Sequence, residues 1–256
     1  MLIRMAIKRL RPRLVAGVLL ISACGGGADT TTTAATTSQA PTQITLATTT
    51  TQPFQRPPAS YEQFRRQPTA CGADTPPETR SLSFSAPDDM GLDQGVKLLA
   101  TLNTSCGPIL LELDPSLAPR TVNSFVFLAD AGYYDGTVSH RVIPGFMVQV
   151  GDPTATGTGG PGYTLPDEFP ADGFVYEAGV VAMANAGFGT TGGQFFIVTG
   201  DASHLPAQFT VIGRVSEGLD VLANIENVPL GVNIQGELSV PLETIYIESI
   251  TIVPLG

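Results

Sequence analysis

A chain of 256 residues, 43% apolar and 14% charged, has the length and composition of one large folded domain with appendages, or of two small domains. Thirteen basic residues stand against 23 acidic ones, and five of the basic residues fall within the first thirteen positions. The rest of the chain is acidic enough to be repelled by a phosphate backbone, which argues against nucleic acid as a partner.

The N-terminus carries Arg4, Lys8, Arg9, Arg11 and Arg13, followed by an apolar run over residues 14–21. That run is far shorter than the roughly 20 residues of a membrane-spanning helix. Basic, then apolar, then small is the order of a secretory signal. Ile21-Ser22-Ala23-Cys24 resembles a bacterial lipobox, in which the cysteine is acylated and becomes the new N-terminus after cleavage. The expectation is a lipoprotein signal peptide over residues 1–23 and a lipid anchor on Cys24. The mature chain would then sit on the outer face of the bacterial cytoplasmic membrane. An ordinary signal peptide with an incidental cysteine is the alternative. Two or more acyl chains, at about 0.8 kcal/mol per buried methylene, hold a protein to a membrane without a transmembrane helix. Cleavage leaves eight basic residues against 23 acidic ones, a net charge of −15. It also leaves Cys71 and Cys106, which in a secreted chain are a disulfide candidate; two separate thiols are the other reading.

Residues 24–58 hold the lipidated cysteine and a Thr-rich stretch without apolar periodicity. Such a segment cannot offset its ordering entropy by burial, so a disordered linker is expected. Residues 59–94 are intermediate: residues 61–66 read as a short helix, Pro-rich stretches follow, and the segment is expected to wrap the neighbouring domain.

From residue 95 to 256 the texture is short apolar or alternating runs broken by Gly and Pro. Strands are predicted over 96–102, 107–113, 140–149, 180–184, 194–198, 210–215 and 245–253. A helix is predicted from Pro119, a favoured first-turn residue, to just before Gly132. Val122, Phe125, Val126 and Ala129 give it one apolar face. A shorter helix is predicted over 218–224. Many strands with few helices point to a mainly β domain, a closed barrel with its ends plugged by helices.

With His140 and His204 as the only histidines, and no Cys-x-x-Cys or His-Glu-x-x-His spacing, the sequence argues against a zinc hydrolase. No metal or other cofactor is expected. No Gly-x-Ser-x-Gly elbow occurs. Gly157-Thr158-Gly159-Gly160-Pro161-Gly162 matches Gly-x-Gly-x-x-Gly formally, but it opens no helix; a loop shaping a surface beside a site is the better account.

The informative stretches are residues 139–152, Ser-His-Arg-Val-Ile-Pro-Gly-Phe-Met-Val-Gln-Val-Gly-Asp, and then Met183-Ala184-Asn185-Ala186-Gly187 with Gly192-Gly193-Gln194-Phe195-Phe196-Ile197. Alternation puts Arg141 and Ile143 on one strand face, an unusual place for a cation among apolar side chains. A rim arginine that extends its head into water is the bland reading. Together the two stretches resemble the signature segments of the cyclophilins, peptidyl-prolyl cis/trans isomerases. The resemblance runs from about residue 96 to 253 and includes Phe125, Tyr134-Asp135-Gly136-Thr137, the Gly157–Gly160 loop and the strand over 209–213. It implies a closed eight-stranded antiparallel barrel capped by two helices, and rotation of X-Pro bonds in proline-containing polypeptides.

Carried over position by position, the resemblance implies Arg141 as the catalytic arginine, with Phe146 and Gln149 beside it in the catalytic site. Phe146, Met147, Phe196 and Leu205 correspond to the pocket for the proline ring. Gln149, Ala184, Asn185 and Gln194 correspond to the groove that fixes the peptide backbone. Two positions of the binding wall depart from the best-known members: His204 stands where they carry tryptophan, and Phe209 where they carry histidine. The first is expected to weaken cyclosporin binding; Arg141 is untouched. The expected activity is isomerisation in the folding of extracytoplasmic proteins, by a monomer. The alternative is a non-catalytic module, or an envelope chaperone, that grips proline-containing segments in the same groove.

Overall fold

The computed structural model describes residues 56–79 and 82–255. The signal segment, Cys24 and nearly all of the Thr-rich linker lie outside the described residues. Strands β1 (Leu98–Thr104) and β2 (Gly107–Leu113) form a tight antiparallel hairpin, and along both of them alternate residues are buried. Leu98, Ala100 and Leu102 face the same interior as Ile109, Leu111 and Leu113. This period-2 pattern is the sheet counterpart of a helix's apolar stripe.

The sheet continues through β3 (Arg141–Ile143), β4 (Met147–Val150), β5 (Val180–Met183), β6 (Phe195–Val198), β7 (Val211–Glu217) and β10 (Ile247–Pro254). Its order is β10-β1-β2-β7-β5-β6-β4-β3, and every neighbouring pair is antiparallel. A separate hairpin, β8 (Leu230–Val232) with β9 (Leu238–Pro241), was not anticipated from the sequence. Nor was the division of the predicted strand 140–149 into β3 and β4. Gly145, at φ 72°, lets the chain reverse between them, as a Pro-Gly pair favours.

The expected closed barrel is corrected by the strand order. The sheet is an open half-barrel whose edge strands, β10 and β3, form no ladder with each other. Strand β3 is only three residues long, and left-handed Gly136 (φ 80°) bends the chain that approaches it. What spans the gap is a Val138–Tyr246 bridge with a few backbone bonds: Gly136 N–H to Ile247 O, Ser139 N–H to Ile245 O and Ile247 N–H to Thr137 O.

Helix α2 (Pro119–Asp130) packs against β10, and α3 (Leu219–Glu226) against β2, β3 and β4. The first turn of α2 is capped from a distance: Glu168 accepts from the N–H groups of Arg120 and Thr121, at 3.2 and 2.8 Å. That satisfies donors a helix cannot satisfy itself.

Ahead of the sheet, α1 (Tyr61–Arg66) buries Tyr61 and Phe64. The Tyr61 N–H donates to Thr154 O at 2.9 Å, and the Thr244 hydroxyl donates to Phe64 O at 2.6 Å. Further on, Phe84 N–H donates to Pro161 O, and its ring meets Phe127 of α2 edge-on at 4.9 Å. The extension is covalently fastened: Cys71 forms a disulfide with Cys106 in the β1–β2 turn.

Candidate active site

Strands β4, β5 and β6 present two apolar faces. Val148, Val150, Val181, Met183, Phe195 and Ile197 point into the main core. Their alternates Met147, Ala182, Phe196 and Val198 form a second cluster with Tyr176, Val180, Ala202 and Val211 on the opposite face. Strand register builds this outer surface. Arg141 lies opposite Gln149, Gln149 opposite Phe196 and Phe196 opposite Ala182. Two residues along, Ile143 lies opposite Met147 and Met147 opposite Val198. An arginine and a glutamine thus sit beside an apolar floor.

The polar groups along this edge are joined into a chain. The Arg141 Nη1 group donates to Gln149 Oε1 at 3.4 Å, Gln149 Nε2 to Gln194 Oε1 at 2.9 Å, and Gln194 Nε2 to Gly159 O at 2.9 Å. The other edge of the guanidinium meets Glu237 at 2.7 Å. At the apolar end, Phe146 and Leu205 are half-buried against Met147 and Phe196. Phe209 meets Phe196 edge-on at 5.5 Å, and exposed His204 lies against Phe146 at 4.7 Å between ring centres. Ala184 N–H donates to Gln194 O at 2.9 Å, while the Asn185 amide donates to Gln208 O at 2.8 Å and accepts from Gly187 N–H.

The glycine-rich loop borders the groove through Gly159. Its shape is set by Asp152, a fully buried carboxylate that accepts from Thr154 N–H and Oγ1 and from the N–H groups of Thr156, Gly157 and Gly159. Burial alone would raise the Asp152 pKa, but the bonds from Thr154 and Gly159, with nearby His140, hold it below the ordinary carboxylate value. A side chain on Gly159 would start 2.0 Å from Asp152 Oδ1, so only glycine fits there.

With this geometry in view, comparison with known proteins is decisive. The family model for cyclophilin type peptidyl-prolyl cis-trans isomerases matches residues 99–252, more than half of the chain. The chain belongs to the cyclophilins. Peptidyl-prolyl cis-trans isomerase B of Bacillus subtilis is 50% identical over 119 residues, covering 46% of this chain and 83% of that protein. Peptidyl-prolyl cis-trans isomerase B of Streptomyces anulatus is 42% identical over 174 residues, covering 61% and 97%. Among solved structures, a cyclophilin type isomerase of Cryptosporidium parvum superposes with a TM-score of 0.55 at 29% identity, over 63% of this chain and 99% of that one. Another structure of that protein, obtained in the presence of the dipeptide Ala-Pro, gives 0.54 at 31% identity, over 60% and 98%. The activity of this cyclophilin is peptidyl-prolyl cis/trans isomerisation.

In this cyclophilin the residues singled out from the sequence converge on one face. Arg141, Gln149 and Gln194 join by hydrogen bonds; Phe146, Met147, Ala184, Phe196, Leu205 and Phe209 share the apolar cluster; His204 and Asn185 flank it. Cys24 lies outside the described residues. Sequence reasoning missed three groups. Tyr176 is buried under the pocket, and its hydroxyl donates to Phe209 O at 2.7 Å while accepting from Phe209 N–H at 3.0 Å. Asp152 closes the stretch over 139–152, and nothing in the sequence marks it as the organiser of the glycine-rich loop. Glu237 lies 96 residues from Arg141, and no local pattern connects the two.

Proposed function

We propose that this cyclophilin rotates X-Pro bonds in polypeptides folding outside the cytoplasmic membrane, as a monomer tethered through an acylated Cys24, with Arg141 as its catalytic donor. The observation that carries the catalytic part is the placement of the Arg141 guanidinium at the head of a polar row beside the Phe146/Met147/Phe196/Leu205 surface. An amide resists rotation because resonance holds it planar, and an X-Pro bond turns unaided in tens to hundreds of seconds. Twisting the bond localises a lone pair on the prolyl nitrogen. An N–H of Arg141 can donate to that nitrogen only in the twisted state, so the bond favours the transition state over either planar isomer. A charge-assisted bond of about 1.5–3 kcal/mol corresponds to roughly one to two powers of ten in rate. The apolar surface holds the ring while Gln149, Gln194 and Asn185 hold the flanking backbone. Rotation breaks no covalent bond, so these residues need supply no nucleophile.

The location is supported by the basic and apolar N-terminus ahead of Cys24, and by the Cys71–Cys106 disulfide, since cytosolic thiols are generally kept reduced. The solution of a relative with Ala-Pro present supports a proline-containing peptide as substrate. The catalytic reading is tested by NMR exchange of an Ala-Pro peptide with the purified chain. Arg141→Ala is expected to lower the exchange rate by about tenfold or more with the fold intact; equal rates would sink it. The anchor is tested by fractionation and mass analysis. Cys24→Ser should move the protein from the membrane to the soluble fraction, and a wild-type Cys24 without acyl mass would refute the tether.

A further inference from the structure

Arg141 has a partner outside the strands that build the groove. The chain between α3 and β10 folds back as the β8–β9 hairpin and packs against β3. There Glu237 meets one whole edge of the guanidinium: Nε donates to Oε2 and Nη2 to Oε1, both at 2.7 Å. Parallel bonds of this kind fix orientation as well as distance, unlike a point contact between charges. A guanidinium carries five N–H groups. Two go to Glu237 and one, from Nη1, to Gln149. Among the described residues, one N–H on each terminal nitrogen therefore remains to be offered to a substrate.

The turn that carries the Glu237 carboxylate is itself held in place. Asn233 Oδ1 accepts from the N–H groups of Gln235 and Glu237, both at 2.9 Å, and Asn233 N–H donates to Glu237 O at 2.8 Å. The base of the hairpin is tied by Leu242 N–H to Pro229 O at 2.8 Å and by the Gln67 amide to Pro241 O at 3.1 Å. Arg141 and Glu237 side chains are each 35% exposed. An exposed ion pair of flexible side chains contributes little. Here one partner sits on a sheet strand and the other on a braced turn, so the pair fixes a direction.

We propose that Glu237 is a positioning residue for the isomerisation: it locks the Arg141 guanidinium in the plane that presents the remaining Nη1–H and Nη2–H groups to the prolyl nitrogen. The inference rests on Arg141 being the catalytic donor. A free arginine side chain loses rotamer entropy when it is fixed, and Glu237 removes that loss before the substrate arrives. The benefit belongs to the transition state, so it falls on kcat.

The experiment measures kcat and KM of the purified full chain on an Ala-Pro peptide for wild type, Glu237→Gln, Glu237→Asp, Arg141→Ala and the Glu237→Gln/Arg141→Ala double variant, and records the NMR signal of the Arg141 Nε–H. Glu237→Gln is expected to lower kcat about fivefold with KM changed less than about twofold, and to broaden or shift the Nε–H signal. Glu237→Asp, which keeps the charge but withdraws the oxygens, should lose activity in the same direction and keeps the test alive if the glutamine variant folds poorly. Adding Glu237→Gln to Arg141→Ala should cost nothing more. Unchanged or raised kcat in both Glu237 variants, or a full further loss in the double variant, would overturn the positioning role while leaving Arg141 catalytic. An Arg141→Ala enzyme as fast as wild type would overturn both readings.

Discussion

Phe195 and Phe196 are neighbours in β6, at 0% and 5% exposure, yet they belong to different parts of the molecule. Phe195 points into the main core, where Phe125 and Tyr134 meet it edge-on at 5.3 and 5.5 Å. Phe196 points the other way and is covered by Phe209, from the segment before β7, with Tyr176 behind it. The inner surface is closed by a helix and by the sheet's own curvature. The outer one is closed by connecting segments and ends in the Arg141–Gln149–Gln194 row. Burial therefore does not separate core from site in this protein; the kind of cover does. Segments without a ladder or helix of their own yield at lower cost than packed elements, which is what a surface needs to admit a proline ring.

The largest expected effect that tests this contrast is on the inner ring. Phe195→Ala should destabilise by about 3–5 kcal/mol in chemical denaturation, because the packed site cannot collapse around the lost ring. Phe196→Ala should destabilise less but raise KM for an Ala-Pro peptide. Equal stability losses with unchanged KM would erase the distinction between the faces. Next in size, Asp152→Asn places an amide among five donors and should cost about 1–3 kcal/mol net. Its pH dependence has a definite sign. The Asp152 pKa is depressed on folding, so its stabilisation is complete above the ordinary value of 3.8 and disappears as pH falls through the lower folded value. Acid titration of stability should lose that component in the Asn variant. The smallest effect is Tyr176→Phe, which frees Phe209 from two hydrogen bonds. It should cost about 1 kcal/mol and widen the pocket, read as a higher KM with little change in kcat.

Local pattern made β2 and α2 legible: residues 107–113 are a short apolar run opened by Gly107-Pro108, and Pro119 and Gly132 bracket an apolar stripe. The motif residues of the groove were legible because they lie in two short ordered stretches that register then brings side by side. The open edge was not legible, since whether β3 meets β10 depends on a three-residue strand and the bend at Gly136. The β8–β9 hairpin carried a signal, Asn233 and Gly236 between apolar alternations, but its strands are three and four residues long and interrupted by Gly231. Glu237 was invisible for a stricter reason. An ion pair across 96 residues is made by tertiary placement, and nothing near either residue announces the other.

The Cys71–Cys106 bond also sets the path of a mechanical load. A pull from the N-terminal side enters the described chain at Arg56 and can peel α1 from Thr154 and Thr244, one hydrogen bond after another. At Cys71 the tension crosses a covalent bond into the β1–β2 turn, so the chain between the two cysteines is short-circuited. The clasp of residues 82–92 on α2, and the Pro161 end of the glycine-rich loop that Phe84 holds, then carry no tension. With the disulfide reduced, the same pull would run on through that clasp toward the groove. Oxidation thus acts as a strain relief between whatever pulls on the N-terminal side and a site that depends on alignment.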